Sequence, residues 1–287
     1  MVRRVVGGSE QHRAGASGAV TPPDCNFQAD WPLIARIDGW LSREQAAALY
    51  RAAGTVRPGC WIVEIGSAYG RSTAALGLGK TDGVYVLAID PYPGPPLGGG
   101  DRALAGFCEN MRSLGLARDV QLFRGTSEQA ARSRLVLFEV AGAEASGGAE
   151  ASSTEGLHSW DEPAVGFLFV DGRHDRDSVL ADIDAWEAQV VDGGLVFFHD
   201  AFFRVGVTLA VLQRHLLNYR FRYLGSVGNL AMFRRHQQVG NQAAVRDSMR
   251  LLGRLSYFGR SMLTTLGVRR NWTPLLKLLP PEEDFEY

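Results

Sequence analysis

The sequence predicts an α/β fold: a mainly parallel seven-stranded sheet, closed by an antiparallel hairpin and covered by helices on both faces. Three observations carry this. From Cys60 onward, short apolar runs alternate with amphipathic stretches of helical length, the pattern of strand–helix–strand units. A loop with two glycines joins the first of these strands to the first of these helices. The last two strand-like runs are separated only by Gly225-Ser-Val-Gly-Asn229, long enough for a hairpin and too short for a crossover helix.

Taken in order, residues 1–28 are rich in Gly, Ser, Ala and Pro without periodicity and read as a flexible arm. Residues 29–238 form one domain. Ser42-Arg-Glu-Gln45 has the capping-box pattern, and Ala46, Leu49, Tyr50 and Ala53 give the following helix an apolar face up to Gly54. Trp61–Ile65 is the first strand, followed by a helix over 71–78. A second strand, Val84–Ile89, ends in Asp90; a helix over 101–114, a strand over 120–123 and a helix over 127–138 come next. Residues 141–160 read as a flexible insertion, because 12 of the 16 residues over 141–156 are Ala, Gly or Ser and offer no apolar anchor. The alternation resumes with a strand over 167–170 and a helix over 176–190, whose Val179, Leu180, Ile183, Trp186 and Val190 share one face. A strand over 195–198 and a helix over 206–218 lead into the hairpin of 220–224 and 230–234.

Residues 239–287 read as a basic helical extension. Six Arg lie between 246 and 270 against one acid, Asp247, and Arg246, Arg250 and Arg254 form an i, i+4 stripe. The expectation is a helix packed on the domain or on a second copy of the chain, with its charges in water and no membrane contact.

Composition narrows the function classes. With 46% hydrophobic and 21% charged residues, the 287-residue chain has material for a sizeable core. Thirty basic against 31 acidic side chains leave a net charge of −1, so no nucleic-acid partner is expected. Three cysteines (Cys25, Cys60, Cys108) without metal-ligand spacing point to a reducing, cytoplasmic setting. No apolar run is long enough for a signal peptide or a transmembrane helix.

The first strand turns into the first helix through Glu64-Ile-Gly66-Ser67-Ala-Tyr-Gly70-Arg-Ser72-Thr73. Glycines there let a ligand approach the backbone, and a helix N-terminus offers unpaired N–H groups. Asp90 closes the next strand 20 residues after Gly70, placed to accept hydrogen bonds from ribose hydroxyls. Loop and acid together predict a nucleoside ligand. Glu64 is expected to put a negative charge at the mouth of the loop, which would repel a pyrophosphate and suit a cationic, phosphate-free ligand such as S-adenosylmethionine. The closing antiparallel hairpin also departs from an all-parallel dinucleotide-binding sheet.

Residues 60–235 resemble the class I S-adenosylmethionine-dependent methyltransferases. They are most similar to the subgroup with a Glu-Ile-Gly-Ser…Gly-Arg-Ser-Thr loop and a later Val-Asp-Gly-x-His segment, which includes cephalosporin-biosynthesis and macrolide-sugar O-methyltransferases. The resemblance implies a Rossmann-like methyltransferase fold, with Glu64, Gly66, Ser67, Gly70, Ser72, Thr73 and Asp90 around the cofactor. Two departures stand out. Ala68 replaces a frequent second glycine, and Thr126 and Ser127 stand where many members carry an acid for the adenine amine and are assigned to the cofactor in its place.

Asp171-Gly-Arg-His174 ends the fourth strand and His199-Asp200 the fifth, so both groups face the crevice of Gly66 and Asp90. The resemblance implies His174 as general base, and histidine titrates near neutrality. Asp171 and Asp200 are expected to share a Mg²⁺ ion, with His199 as third ligand or as an orienting group for Asp200. Asp182 and Asp184 read as a solvated face; Tyr69, Arg71, Trp31 and Trp40 are candidates for the border of the acceptor pocket, with core packing the preferred role for both tryptophans. The leading expectation is transfer of a methyl group to a hydroxyl of a small molecule. The resemblance alone makes that acceptor a sugar or secondary metabolite. An NAD-dependent oxidoreductase and a non-catalytic nucleoside-binding module remain the alternatives, and the C-terminal helix is a candidate homo-oligomer contact.

Overall fold

Strand β1 (Trp61–Ile65) is buried at every position, as an interior parallel strand with helices on both sides must be. It pairs in parallel with β2 (Tyr85–Asp90) on one flank and β5 (Val165–Val170) on the other. Beyond β2 lies β3 (Val120–Arg124) and beyond β5 lies β6 (Val190–Phe198), both parallel. The sheet then reverses: β8 (Leu230–Arg235) runs antiparallel to β6, and β7 (Phe221–Val227) antiparallel to β8. The hairpin therefore closes the sheet as predicted. At the opposite edge a two-residue strand, β4 (Phe138–Glu139), pairs antiparallel with β3, giving the order β4-β3-β2-β1-β5-β6-β8-β7. The computed structural model describes residues 23–95, 98–133, 138–139, 164–217, 220–237, 240–256 and 258–259. Most of the predicted arm, the insertion over 141–160 and the extension past residue 259 lie outside the described residues.

Alternating strand positions feed two cores. Ile62 and Phe167 pack with Leu49, Leu76 and Phe107 of helices α2 (Arg43–Ala53), α3 (Arg71–Gly79) and α4 (Gly100–Ser113). Val63, Ile65 and Leu168 pack on the other face with Ile183, Trp186 and Val211 of α6 (Arg176–Trp186) and α7 (Val205–Leu217). The capping box of α2 forms as predicted: Gln45 N donates to Ser42 Oγ at 3.2 Å and Ser42 N to Gln45 Oε1 at 2.9 Å.

Three expectations are corrected. Helix α1 (Pro23–Ile34) takes in residues 23–28, which composition had assigned to the arm; Phe27 is buried there, edge-on to Tyr50 at 5.4 Å. The helix expected over 127–138 is α5 (Ser127–Arg132), and Phe138 joins the sheet instead. The run around Phe138 is apolar and short, and such runs suit strand and helix alike. The basic helix packs on the domain as expected, but its stripe is left to water only in part, with Arg246 exposed and Arg250 and Arg254 tied to backbone carbonyls. Helix α8 (Asn241–Gly253) packs on β7 with Asp247 fully buried and bonded by Arg222. Arg250 donates to the carbonyls of Tyr223 (3.4 Å) and Leu224 (3.1 Å), and Arg254 to that of Gly228 (3.0 Å). Among the described residues no helix is long and apolar enough to cross a membrane.

Candidate active site

Parallel strands bring their carboxyl ends to one edge of the sheet. There the ends of β1, β2, β3, β5 and β6 surround a cavity of about 820 Å³. Its wall contains Gly66, Ser67, Ser72, Asp90, Thr126, Ser127, Asp171, His174, His199 and Asp200. Glu64, Gly70 and Thr73 are not part of the wall; they build the loop from behind.

The loop is shaped by two left-handed glycines. Gly66 (φ +87°) passes so close to β5 that a Cβ would overlap the Asp171 carbonyl oxygen. Gly70 (φ +88°) caps α3 against Phe107 and Met111. Between them Ala68 also takes a left-handed conformation (φ +43°), which costs a residue with a Cβ about 1 kcal/mol or more. Asp90 fixes this turn from β2: one carboxylate oxygen accepts Ser67 N (3.1 Å) and Ala68 N (2.9 Å), the other Tyr92 N (2.7 Å).

Glu64 does not stand at the mouth of the loop. Its side chain is fully buried, and its carboxyl accepts hydrogen bonds from Ser72 and Thr73 on the first turn of α3. Burial pushes its pKa up to about 8 against the two hydroxyls, with Asp171 and Asp90 adding to the rise. The group is therefore mostly neutral at pH 7, and its work is to tie α3 to β1. The acidic character of the cavity comes from acids on its wall instead, Asp90, Asp171 and Asp200 among them.

At the far end two carboxylates face two imidazoles. His174 Nε2 lies 3.3 Å from Asp200 Oδ2 and 4.0 Å from Asp171 Oδ1. His199 Nδ1 lies 3.1 Å from Asp171 Oδ1 and 3.8 Å from Asp200 Oδ1. Burial works to raise the Asp171 carboxyl, but His199 and His174 outweigh it and hold it below the usual range. Burial likewise works to lower His199, and the charge of Asp171, with Asp200 behind it, holds the imidazole above its ordinary value. The pair thus favours carboxylate with imidazolium. His199 Nε2 is buried and has no hydrogen-bond partner among the described residues.

Residues 63–201 match the family described as a methyltransferase domain. The chain carries a class I S-adenosylmethionine-dependent methyltransferase domain. The family match sets aside the dehydrogenase and non-catalytic alternatives. Solved structures agree in fold. The cofactor-bound Rv0187 from MTB aligns with a TM-score of 0.51 at 15% identity, covering 77% of this chain and 100% of that one. A Corynebacterium glutamicum protein aligns at 0.50 and 13% identity, covering 78% and 95%.

The methyltransferase's cavity suits its cofactor on two observations: a backbone cradle at Gly66 that a Cβ would fill, and a carboxylate, Asp90, already oriented by three N–H groups. Asp182, which the sequence placed on a solvated face, is buried in the cavity wall and accepts a hydrogen bond from Ser127. Burial raises its pKa to about 6, opposed by Ser127. The signal was present in the sequence, since Asp182 falls on the apolar face with Val179, Ile183 and Trp186. Thr126 caps α5, with Gln129 N donating to its hydroxyl at 3.3 Å. Asn229, at the tip of the β7–β8 hairpin, also lines the wall and had no sequence signal.

For a metal the fit is narrower than the sequence suggests. Among the described residues no group of three His, Cys, Asp or Glu side chains is arranged to hold an ion. Asp171 and Asp200 alone match the one or two carboxylates by which Mg²⁺ is commonly held, the remaining positions being water or substrate. His199 does not complete such a set: it turns Nδ1 toward both carboxylates and hydrogen-bonds Asp171 through it. That hydrogen bond fits the other expectation for His199, a group that orients a carboxylate, here Asp171.

Proposed function

We propose that this methyltransferase acts on a hydroxyl of a small molecule, a sugar or secondary metabolite, with His174 as general base. The observation that supports the reading is the placement of His174 on the cavity wall shared with Gly66 and Asp90, with its Nε2 held 3.3 Å from Asp200. The side chain is 39% exposed, so an acceptor can reach it, while its partner Asp200 is only 11% exposed. S-adenosylmethionine, when bound, supplies a methyl group on a sulfonium; Gly66, Ser67, Ser72, Asp90, Thr126 and Ser127 are the residues to hold it. His174 takes the hydroxyl proton at Nδ1, because Nε2 carries the hydrogen that faces Asp200. Asp200 and Asp171 stabilise the imidazolium that results, and His199 keeps Asp171 in register. Arg204, 3.5 Å from Asp200, and Asn229 fix the second carboxylate. A Mg²⁺ ion on Asp171 and Asp200 would add a Lewis acid that lowers the pKa of the acceptor hydroxyl.

A cytoplasmic setting fits the free thiols of Cys60 and Cys108. The outer face of α8 exposes Val245 and Met249, which supports self-association through this helix.

The test is a mass-spectrometric screen of hydroxylated acceptors with methyl-labelled cofactor, with and without Mg²⁺ after chelation and dialysis. The expected product carries the label on oxygen. His174→Ala is expected to lower turnover about 10²–10⁴-fold with S-adenosylhomocysteine binding unchanged by calorimetry. Turnover of that variant at the wild-type rate would remove His174 from the chemistry. Full turnover without divalent ion would remove the metal.

A further inference from the structure

Trp40 lines the cavity, yet it is 90% exposed. The described tryptophans Trp61 and Trp186 are buried, and Trp31 packs against the core. An indole left in water on a cavity wall has forgone the burial that stabilises its kin, which points to an external partner.

The backbone beneath this indole is fixed. The Arg71 guanidinium donates to four carbonyls of one short segment: Ala35 (3.1 Å), Ile37 (2.6 Å), Gly39 (2.7 Å) and Leu41 (3.3 Å). Arg71 is also the first residue of α3, directly after the loop that cradles the cofactor. One side chain thus ties the segment carrying Trp40 to the cofactor loop, leaving the indole itself untied. The same wall presents Phe203, 42% exposed and three positions past Asp200, with the Arg204 guanidinium over its ring at 5.2 Å.

We propose that Trp40 is the platform on which the acceptor's ring stacks, and that Arg71 is the positioning residue that holds this platform against the cofactor loop. The substrate class follows from the indole's chemistry: a hydroxylated compound with a flat apolar ring face, either the C–H face of a pyranose or an aromatic ring. A tryptophan presents a broad rigid surface and loses little conformational freedom on contact. Acyclic polyols have no such face and gain nothing there. The assignment of the ring as acceptor rests on the methyl-transfer reading; the stacking itself does not.

Saturation-transfer NMR on the full chain tests it, with methyl glucopyranoside, catechol and glycerol as probes and S-adenosylhomocysteine present. The wild type and Trp40→Phe are expected to saturate the ring protons of at least one cyclic probe. Trp40→Ala is expected to weaken that probe about tenfold, and Arg71→Ala to do the same while melting near the wild-type temperature. Glycerol is expected to give no signal with any variant. Which cyclic probe responds tells a saccharide from an aromatic acceptor. Equal ring saturation in Trp40→Ala and wild type would overturn the platform, as would silence of both cyclic probes with the wild type. If Arg71→Ala unfolds, the two Trp40 variants decide. Calorimetry with S-adenosylhomocysteine runs alongside. Absence of heat there would sink the cofactor reading and leave the stacking result standing on its own.

Discussion

The side-chain amide of Asn229 donates to Asp200 Oδ1 at 2.6 Å while its oxygen accepts from Gln45. A residue at the tip of the closing hairpin therefore joins helix α2 to the carboxylate at the end of β6. Asp200 itself has a left-handed backbone (φ +57°), so its aim depends on such external ties.

Asn229→Ala is expected to reduce kcat about 10–100-fold, the worth of one hydrogen bond to a charged group, with S-adenosylhomocysteine affinity retained. Steady-state kinetics beside calorimetry separate the two. A fall in cofactor affinity with kcat unchanged would assign Asn229 to the wrong half of the cavity.

Glu64 makes stability fall with rising pH. Its folded pKa, about 8, lies above the ordinary 4.5, so the native protein holds a proton that the unfolded chain has released. Between those values each pH unit removes up to about 1.4 kcal/mol. Glu64→Gln, which can still bond Ser72 and Thr73, is expected to flatten the slope. Urea titrations near both ends of the window read it directly; parallel pH profiles for the two proteins would mean the carboxyl ionises normally.

Gly66 and Ala68 are expected to respond in opposite directions. Gly66→Ala puts a methyl group onto the Asp171 carbonyl at a left-handed position and is expected to cost more than about 2 kcal/mol. Ala68→Gly relieves the strained φ of the same turn and is expected to add about 0.5 kcal/mol after the entropy of the freer unfolded chain is counted. Thermal melts of both variants check the sign.

Asp90→Asn keeps the shape of the side chain and removes its charge. One amide NH₂ then faces the N–H groups that the carboxylate now accepts. Cofactor affinity is expected to fall at least about tenfold by calorimetry, and wild-type affinity would take Asp90 out of the cofactor site.

The carboxyl-end constellation was readable because parallel strands leave no choice about which ends meet: Gly66, Asp90, Asp171 and Asp200 each close a strand, and the fold delivers them to one rim. Glu64 was misplaced for a reason equally physical. In a strand covered on both faces, alternation sends a side chain from one core to the other, never to the solvent, so an acid one residue before the strand end was bound to be interior. Asp182 shows the same lesson on a helix, where its spacing from Val179 and Trp186 outweighs its charge. Asn229 is different in kind. Its partners lie 29 and 184 positions away, and no local pattern encodes contacts of that span.

At Gly66 the turn of the cofactor loop and the end of β5 at Asp171 meet with no room for even a methyl group between them. Neither half can be reshaped there without disturbing the other. Diversification of substrate range in proteins built this way should therefore be concentrated in the exposed side chains of the rim, Trp40 and Phe203, which can change while the shared joint stays as it is.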